Sequence, residues 1–155
     1  MAIKRVGHVV LKMRDLQKAR DFYVGFLGMK VGNEHPERGM FLRFNEYHHD
    51  IAIFKTGDDA EAPKDNQVGL VHVALVCDND ETVKGYYDKA KAAGIEVTGW
   101  TDHDITHSLY IKDPEGNTIE IYADTPYDWQ SGGMGFRSKK FDIEAVPSPE
   151  PAAVS

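Results

Sequence analysis

The chain has 155 residues, 41% of them hydrophobic and 28% charged, with a formal net charge of −7 and seven histidines. That length suits one domain, and the acidic balance argues against nucleic acid as a main partner, because phosphate contacts need clustered Lys and Arg. No apolar run approaches the roughly 18 residues that span a bilayer, Cys77 is the single cysteine, and Met-Ala-Ile-Lys-Arg-Val runs straight into a strand pattern rather than a signal peptide, so a soluble cytoplasmic protein is expected.

In chain order, the stretch from Gly7 reads as a strand, and Asp15 then caps an amphipathic helix over 15–27 that stops at Gly28. Leu16, Ala19, Phe22, Tyr23 and Phe26 recur on one face of it, the spacing of a core-facing stripe. A strand follows, and "GMFLRFNE" and "HDIAIFKT" then flank a turn. Residues 58–68 are polar and read as a linker. "VHVALVC" begins a second strand, and a helix is expected over 80–93 with Gly94 as its stop. "ITHSLYIKD" and "GNTIEIYAD" close the series around the turn residues Asp113, Pro114, Gly116 and Asn117, which carry turn chemistry and no catalytic duty. Phe22, Tyr23, Tyr86 and Tyr87 fit helix faces as core, and Cys77 reads as structural. From Thr125 the pattern stops. Residues 125–145, with Tyr127, Trp129 and Phe136, are expected to wrap the core or a neighbouring subunit, and the Pro-, Ser- and Ala-rich stretch 146–155 to be disordered.

The two series are one unit written twice. Laying residues 7–31 over 71–97 puts His8 on His72, Val9 on Val73, Leu11 on Leu75 and Asp15 on Asn79. With a two-residue insertion, Gly28 to Val31 meets Gly94 to Val97. Each half reads βαβββ, over about 4–57 and 69–124, and neither buries its apolar face alone. Sliding "HDIAIF" onto "NTIEIY" sets Ala52 against Glu120, so the equivalent inward positions are His8, Ala52, His72 and Glu120.

Glu120 is the anomaly, a carboxylate between Ile119 and Ile121 in mid-strand, costly unless something positive meets it. A histidine opening a strand is, taken alone, more often a packed residue than a ligand. Two that coincide under a repeat, with a carboxylate in the same frame, point to a metal. Two imidazoles and one carboxylate with vacant positions are the donor set of non-haem Fe(II) oxygenases, although Zn, Mn, Co and Ni also bind such donors. The expected fold is α+β, two βαβββ modules pairing into an open, half-barrel-like mixed sheet around that site, followed by an extension over 125–155.

Over about residues 4–124 the chain resembles the vicinal oxygen chelate superfamily, which includes glyoxalase I, fosfomycin-resistance enzymes, methylmalonyl-CoA epimerase, bleomycin-binding proteins and type I extradiol dioxygenases. The resemblance implies His8, His72 and Glu120 as metal ligands. Ala52 cannot supply the fourth ligand of the glyoxalase I and epimerase sites, whereas bleomycin-binding members lack ligands altogether. "HDIAIF", "GLVHVAL", "HDITH" and "LYIKDPEGNTIEIY" resemble the catalytic module of extradiol dioxygenases. On that pattern His49 matches the pocket histidine and Tyr110 the tyrosine ten residues before the carboxylate ligand. His103 matches the first histidine of an H-x-[LI]-T-H segment, with His107 as the alternative. The activity implied is Fe(II)-dependent opening of a catechol by O₂, with Mn(II) or another divalent metal as the alternative ion. A homodimer or higher homo-oligomer is expected, because symmetric self-association is the commonest and the half-sheets need covered edges. A metal-dependent thiol transferase, glyoxalase or epimerase is the second reading, and a small-molecule sequestration protein the third. Many extradiol enzymes carry a further metal-free module, whereas one module pair is read in these residues.

Overall fold

Both modules begin their helix in the same way, with a side-chain oxygen over the free N–H groups of the first turn. Asp15 accepts from the backbone of Gln17 and Lys18, and Asn79 from that of Thr82; such caps stabilise a helix by about 1 kcal/mol. The computed structural model in which these contacts are seen describes residues 2–64, 66–133 and 137–149. The chain divides into two compact units, the first comprising Met1–Gln67 with the turn Asp113–Gly116, the second Val68–Lys112 with Asn117–Ser155.

The first unit holds β1 (Val9–Met13), α1 (Leu16–Arg20), β2 (Lys30–His35), β3 (Gly39–Arg43) and β4 (Ile51–Lys55), with the strands in the order β1-β4-β3-β2. The second holds β5 (Val73–Cys77), α2 (Asp80–Ala93), β6 (Val97–Asp102), β7 (Thr106–Lys112) and β8 (Thr118–Asp124), in the order β5-β8-β7-β6. Each is an open, mixed, four-stranded sheet with its outer strand parallel to the last, so the α+β architecture of two βαβββ modules is borne out. The registers repeat residue for residue. Val9, Val10 and Leu11 face Ile51, Ala52 and Ile53; Val73, Ala74 and Leu75 face Ile119, Glu120 and Ile121. Even the irregularities recur, with a bulge between Val31 and Asn33 in β2 and another between Val97 and Gly99 in β6.

Strand alternation then separates two faces. In the second unit Leu109, Ile111, Ile119, Ile121 and Ala123 are buried together with Val83, Tyr87 and Ala90 of α2. Each fully buried aliphatic side chain of this kind contributes about 1.5–3 kcal/mol. Tyr110, Glu120 and Tyr122 carry the opposite parity and point to the other face. Gly94 ends α2 in the left-handed region, φ +67°.

The expected helix over 15–27 is not one α-helix. After Arg20 it widens into a π-helix over Asp21–Phe26, with the Leu27 N–H reaching back five residues to the Phe22 carbonyl. The wider winding buries Phe22, Tyr23 and Phe26 together, and the Phe22 and Phe26 rings stack 5.4 Å apart. The turn 113–116 also does more than reverse the chain. Tyr23 Oη donates to the buried Asp113 at 2.8 Å, and Arg14 forks onto Glu115 through Nε at 2.6 Å and its own N–H at 2.7 Å.

Beyond β8, a short helix α3 (Trp129–Gly132) precedes a segment that packs on the second unit and buries Phe141 and Ile143. Residues 146–149, placed by composition in a disordered tail, lie along α2 instead, with Ser148 Oγ donating to Asp88 at 2.7 Å. Phe136 and residues 150–155 lie outside the described residues. Tyr86 is half-buried rather than fully core. Among the described residues no helix is long and apolar enough to cross a membrane.

Candidate functional site

In the second unit Glu120 lies beside Tyr110 on β7 and Ala74 on β5. Ala74 is small, which leaves the carboxylate open to the residue two places earlier, His72. The His72 imidazole Nε2 stands 2.9 Å from Glu120 Oε2, and the Tyr110 hydroxyl donates to Glu120 Oε1 at 3.0 Å. These contacts answer the mid-strand carboxylate. Only 8% exposed, it has one imidazole and one phenol for company, and no lysine or arginine pairs with it among the described residues. Burial, and then the Glu120 charge, push the Tyr110 phenol up to about 12, so it stays protonated across the physiological range.

His103, in the turn between β6 and β7, extends the chain of contacts. Its Nε2 is 2.8 Å from the Tyr110 hydroxyl and its Nδ1 2.8 Å from the carbonyl of Arg137. A carbonyl only accepts, so Nδ1 carries the hydrogen, and in the neutral ring Nε2 is an acceptor. The one hydroxyl proton of Tyr110 thus faces two acceptors. Only one of them takes it at a time. The carboxylate has lone pairs to spare for a cation, and the neighbouring imidazole is a second metal-type donor. The donor chemistry therefore fits a divalent metal at this pair.

His8 and His49 belong to the first unit. Their rings lie 4.3 Å apart, and His49 also meets Phe41 edge-on at 5.0 Å. His48 Nδ1 is 2.6 Å from His49 Nδ1. Desolvation first, then the neighbouring His8 and His48, hold His49 below the ordinary imidazole value. Ala52 is buried at the position equivalent to Glu120, with Phe41 standing where Tyr110 stands. His107, the alternative to His103, points away from this chemistry. It pairs with Asp80 at 2.8 Å and stacks on Phe141 with 13° between the rings. Of the expected residues, then, the second unit brings together His72, Glu120, Tyr110 and His103, and the first brings together His8 and His49. Among the described residues no group of three or more His, Cys, Asp or Glu side chains is arranged to hold an ion.

Sequence reasoning passed over two participants. Asp104 has a positive φ of 68°, a conformation Asp tolerates better than most residues, and Arg137 contributes only a backbone carbonyl. Asp104 carried a faint signal in its residue type beside His103; a carbonyl carries none.

Residues 5–121 match the family described as the Glyoxalase/Bleomycin resistance protein/Dioxygenase superfamily. The chain is 32% identical over 124 residues to a biphenyl-2,3-diol 1,2-dioxygenase of Rhodococcus globerulus, covering 79% of this chain and 64% of that protein. It is 31% identical over 131 residues to a probable lactoylglutathione lyase of Vibrio cholerae, covering 78% and 91% respectively. The crystal structure of a lactoylglutathione lyase from Agrobacterium tumefaciens superposes with a TM-score of 0.62 at 21% identity over 79% of this chain and 96% of that one, a likeness of fold. The chain thus spans less than two-thirds of the dioxygenase relative.

Proposed function

Because the chain belongs to the Glyoxalase/Bleomycin resistance protein/Dioxygenase superfamily, we propose that it opens the ring of a catechol-type aromatic diol with O₂ beside the two hydroxyls, using a ferrous ion held by His8, His72 and Glu120. When bound, such an ion supplies Lewis acidity and vacant positions for the diol and dioxygen. The observation that carries the reading is the buried Glu120 carboxylate, met by His72 and Tyr110 and by no cationic side chain among the described residues. The named dioxygenase relative supports the substrate class.

The residues divide the work. Glu120 and the two imidazoles leave the centre with a net charge of about plus one if the ion is divalent, which favours loss of a proton from the diol. His49, held below the ordinary imidazole value, is neutral near pH 7 and accepts that proton at a ring nitrogen, later returning it. Tyr110, kept protonated, has one hydroxyl hydrogen to give, for which a bound diol oxygen competes with Glu120 and His103 Nε2. His103 holds that hydroxyl from behind. Phe41, against His49, offers an apolar edge to an aromatic ring.

The probable lactoylglutathione lyase relative, 91% of whose length the chain covers, favours a second reading, a metal-dependent lyase or isomerase acting on a thiol adduct. Ala52 weighs against it, since a methyl group cannot ligate. Protein purified without oxygen, loaded with Fe(II) and mixed with catechol or 2,3-dihydroxybiphenyl decides between them. Oxygen uptake with a yellow ring-opened product is the expected result. No uptake, with turnover of a glutathione hemithioacetal instead, overturns it.

A further inference from the structure

The segment 137–149 is bound into the second unit at every step. Lys139 forms an antiparallel bridge with Asp102, its N–H donating to the Asp102 carbonyl at 2.7 Å and its carbonyl accepting at 3.1 Å. The Phe141 ring lies 4.4 Å from that of His107, and Ile143 is fully buried. Glu144 meets Tyr87 and Lys91, and Ser148 meets Asp88. The segment is a strap, gripping β6, β7 and α2.

Its first residue faces the candidate site. The Arg137 carbonyl takes the Nδ1 hydrogen of His103, whose other nitrogen faces the Tyr110 hydroxyl. The strap also holds the turn that carries His103. Asp104, at φ +68°, has its carboxylate paired with both Lys139 and Arg137, its N–H bonded to Asp102 Oδ1 at 2.7 Å and its carbonyl taken by the Thr125 hydroxyl. A non-glycine residue in that region of backbone space persists only where its surroundings over-determine it.

We propose that this C-terminal strap is a positioning element for the site, fixing His103 through the Arg137 carbonyl so that Nε2 is presented to the Tyr110 hydroxyl. An imidazole held by the phenol alone is free to turn over and offer either nitrogen, because a hydroxyl both donates and accepts. A carbonyl removes that freedom. With His103 fixed, the Tyr110 hydroxyl has a defined acceptor in Nε2, which competes with Glu120 Oε1 for its one hydrogen. Partners behind a ligating group act in this way on its orientation, and losing them costs about 10- to 100-fold in activity or metal affinity.

The consequence for turnover rests on the dioxygenase reading; the consequence for the imidazole does not. Arg137 and Lys139 are exposed, so Arg137→Ala with Lys139→Ala removes the ion pairs that hold the strap to the turn while leaving the core intact. Nitrogen-15 NMR of the histidine rings in the full chain is expected to show His103 as a single Nδ1–H tautomer in the wild type and as a mixture in the double variant. Asp104→Asn, which removes the same pairs from the turn side, is expected to behave alike. In the iron-loaded protein kcat is expected to fall about tenfold at unchanged metal content, and Lys139→Arg to keep wild-type values. A double variant that retains the wild-type imidazole pattern, or a wild type with the hydrogen on Nε2, overturns the proposal whatever the activity. If the imidazole responds as expected but no diol is cleaved, the strap's role stands and the dioxygenase reading falls.

Discussion

Tyr110 and Tyr23 show how one residue type takes two roles through its neighbours. Tyr110 is part-buried between a carboxylate and an imidazole, and its single hydroxyl hydrogen faces both. Tyr110→Phe is expected to retain metal and fold while kcat falls about tenfold or more, read in oxygen-uptake assays; unchanged kinetics would place the ring among the structural aromatics. His49→Phe, which removes the proposed proton acceptor, is expected to cost about a hundredfold in kcat at constant metal content. Tyr23 is fully buried with its hydroxyl on Asp113, and burial followed by the Asp113 charge raises its phenol well above the ordinary value. Tyr23→Phe is expected to cost about 1–2 kcal/mol in urea unfolding and to leave activity alone, because one buried hydrogen bond is lost and neither partner has a part in the proposed chemistry.

Within the elements, β3 depends on its first residue. Gly39 has φ +143°, and a Cβ there would stand 1.8 Å from the Ile53 carbonyl oxygen on β4. Gly39→Ala is expected to destabilise by about 3 kcal/mol, the upper end of the range for strained backbone, visible as a lower urea midpoint. Ion pairs tie segments together in the same way and make them acid-sensitive. Burial alone would raise Glu115, but the Arg14 hydrogen bonds and charge outweigh it and hold the carboxyl below its ordinary 4.5. Lys139 first, then Arg137, holds Asp104 below 3.8, and the Tyr87 hydroxyl and Lys91 hold Glu144 below 4.5. A carboxylate with a depressed folded-state value stabilises the fold above its unfolded value, and that stability is lost as pH falls through the folded value. The contribution of these carboxylates to the urea midpoint is therefore expected to be complete above about pH 5 and to be lost as pH falls below 4.5, with Arg14→Ala flattening that loss.

At the scale of the whole chain, the proposed ion couples binding to folding. Adding Fe(II) or Mn(II) at about 100 times its Kd is expected to stabilise the protein by about 2.7 kcal/mol, and Glu120→Gln or His72→Ala to abolish the shift in calorimetry. A shift that survives both changes would remove those residues from the ligand set. Much of the molecule was legible before any coordinates, because a duplicated sequence repeats its hydrophobic periods, and those periods alone specify strand, helix and facing residue. The equivalence of Ala52 with Glu120, the caps at Asp15 and Asn79, and the βαβββ order all follow from short-range chemistry and pattern. The π-winding after Arg20, the burial of Asp113 under Tyr23, the pairing of His107 with Asp80 rather than Tyr110, and the Arg137 carbonyl behind His103 do not. Each joins residues far apart in the chain or uses a backbone atom that every residue possesses, and such a contact leaves no periodic mark in a sequence. Pattern determined the modules and their facing residues; only packing decided which polar atoms met.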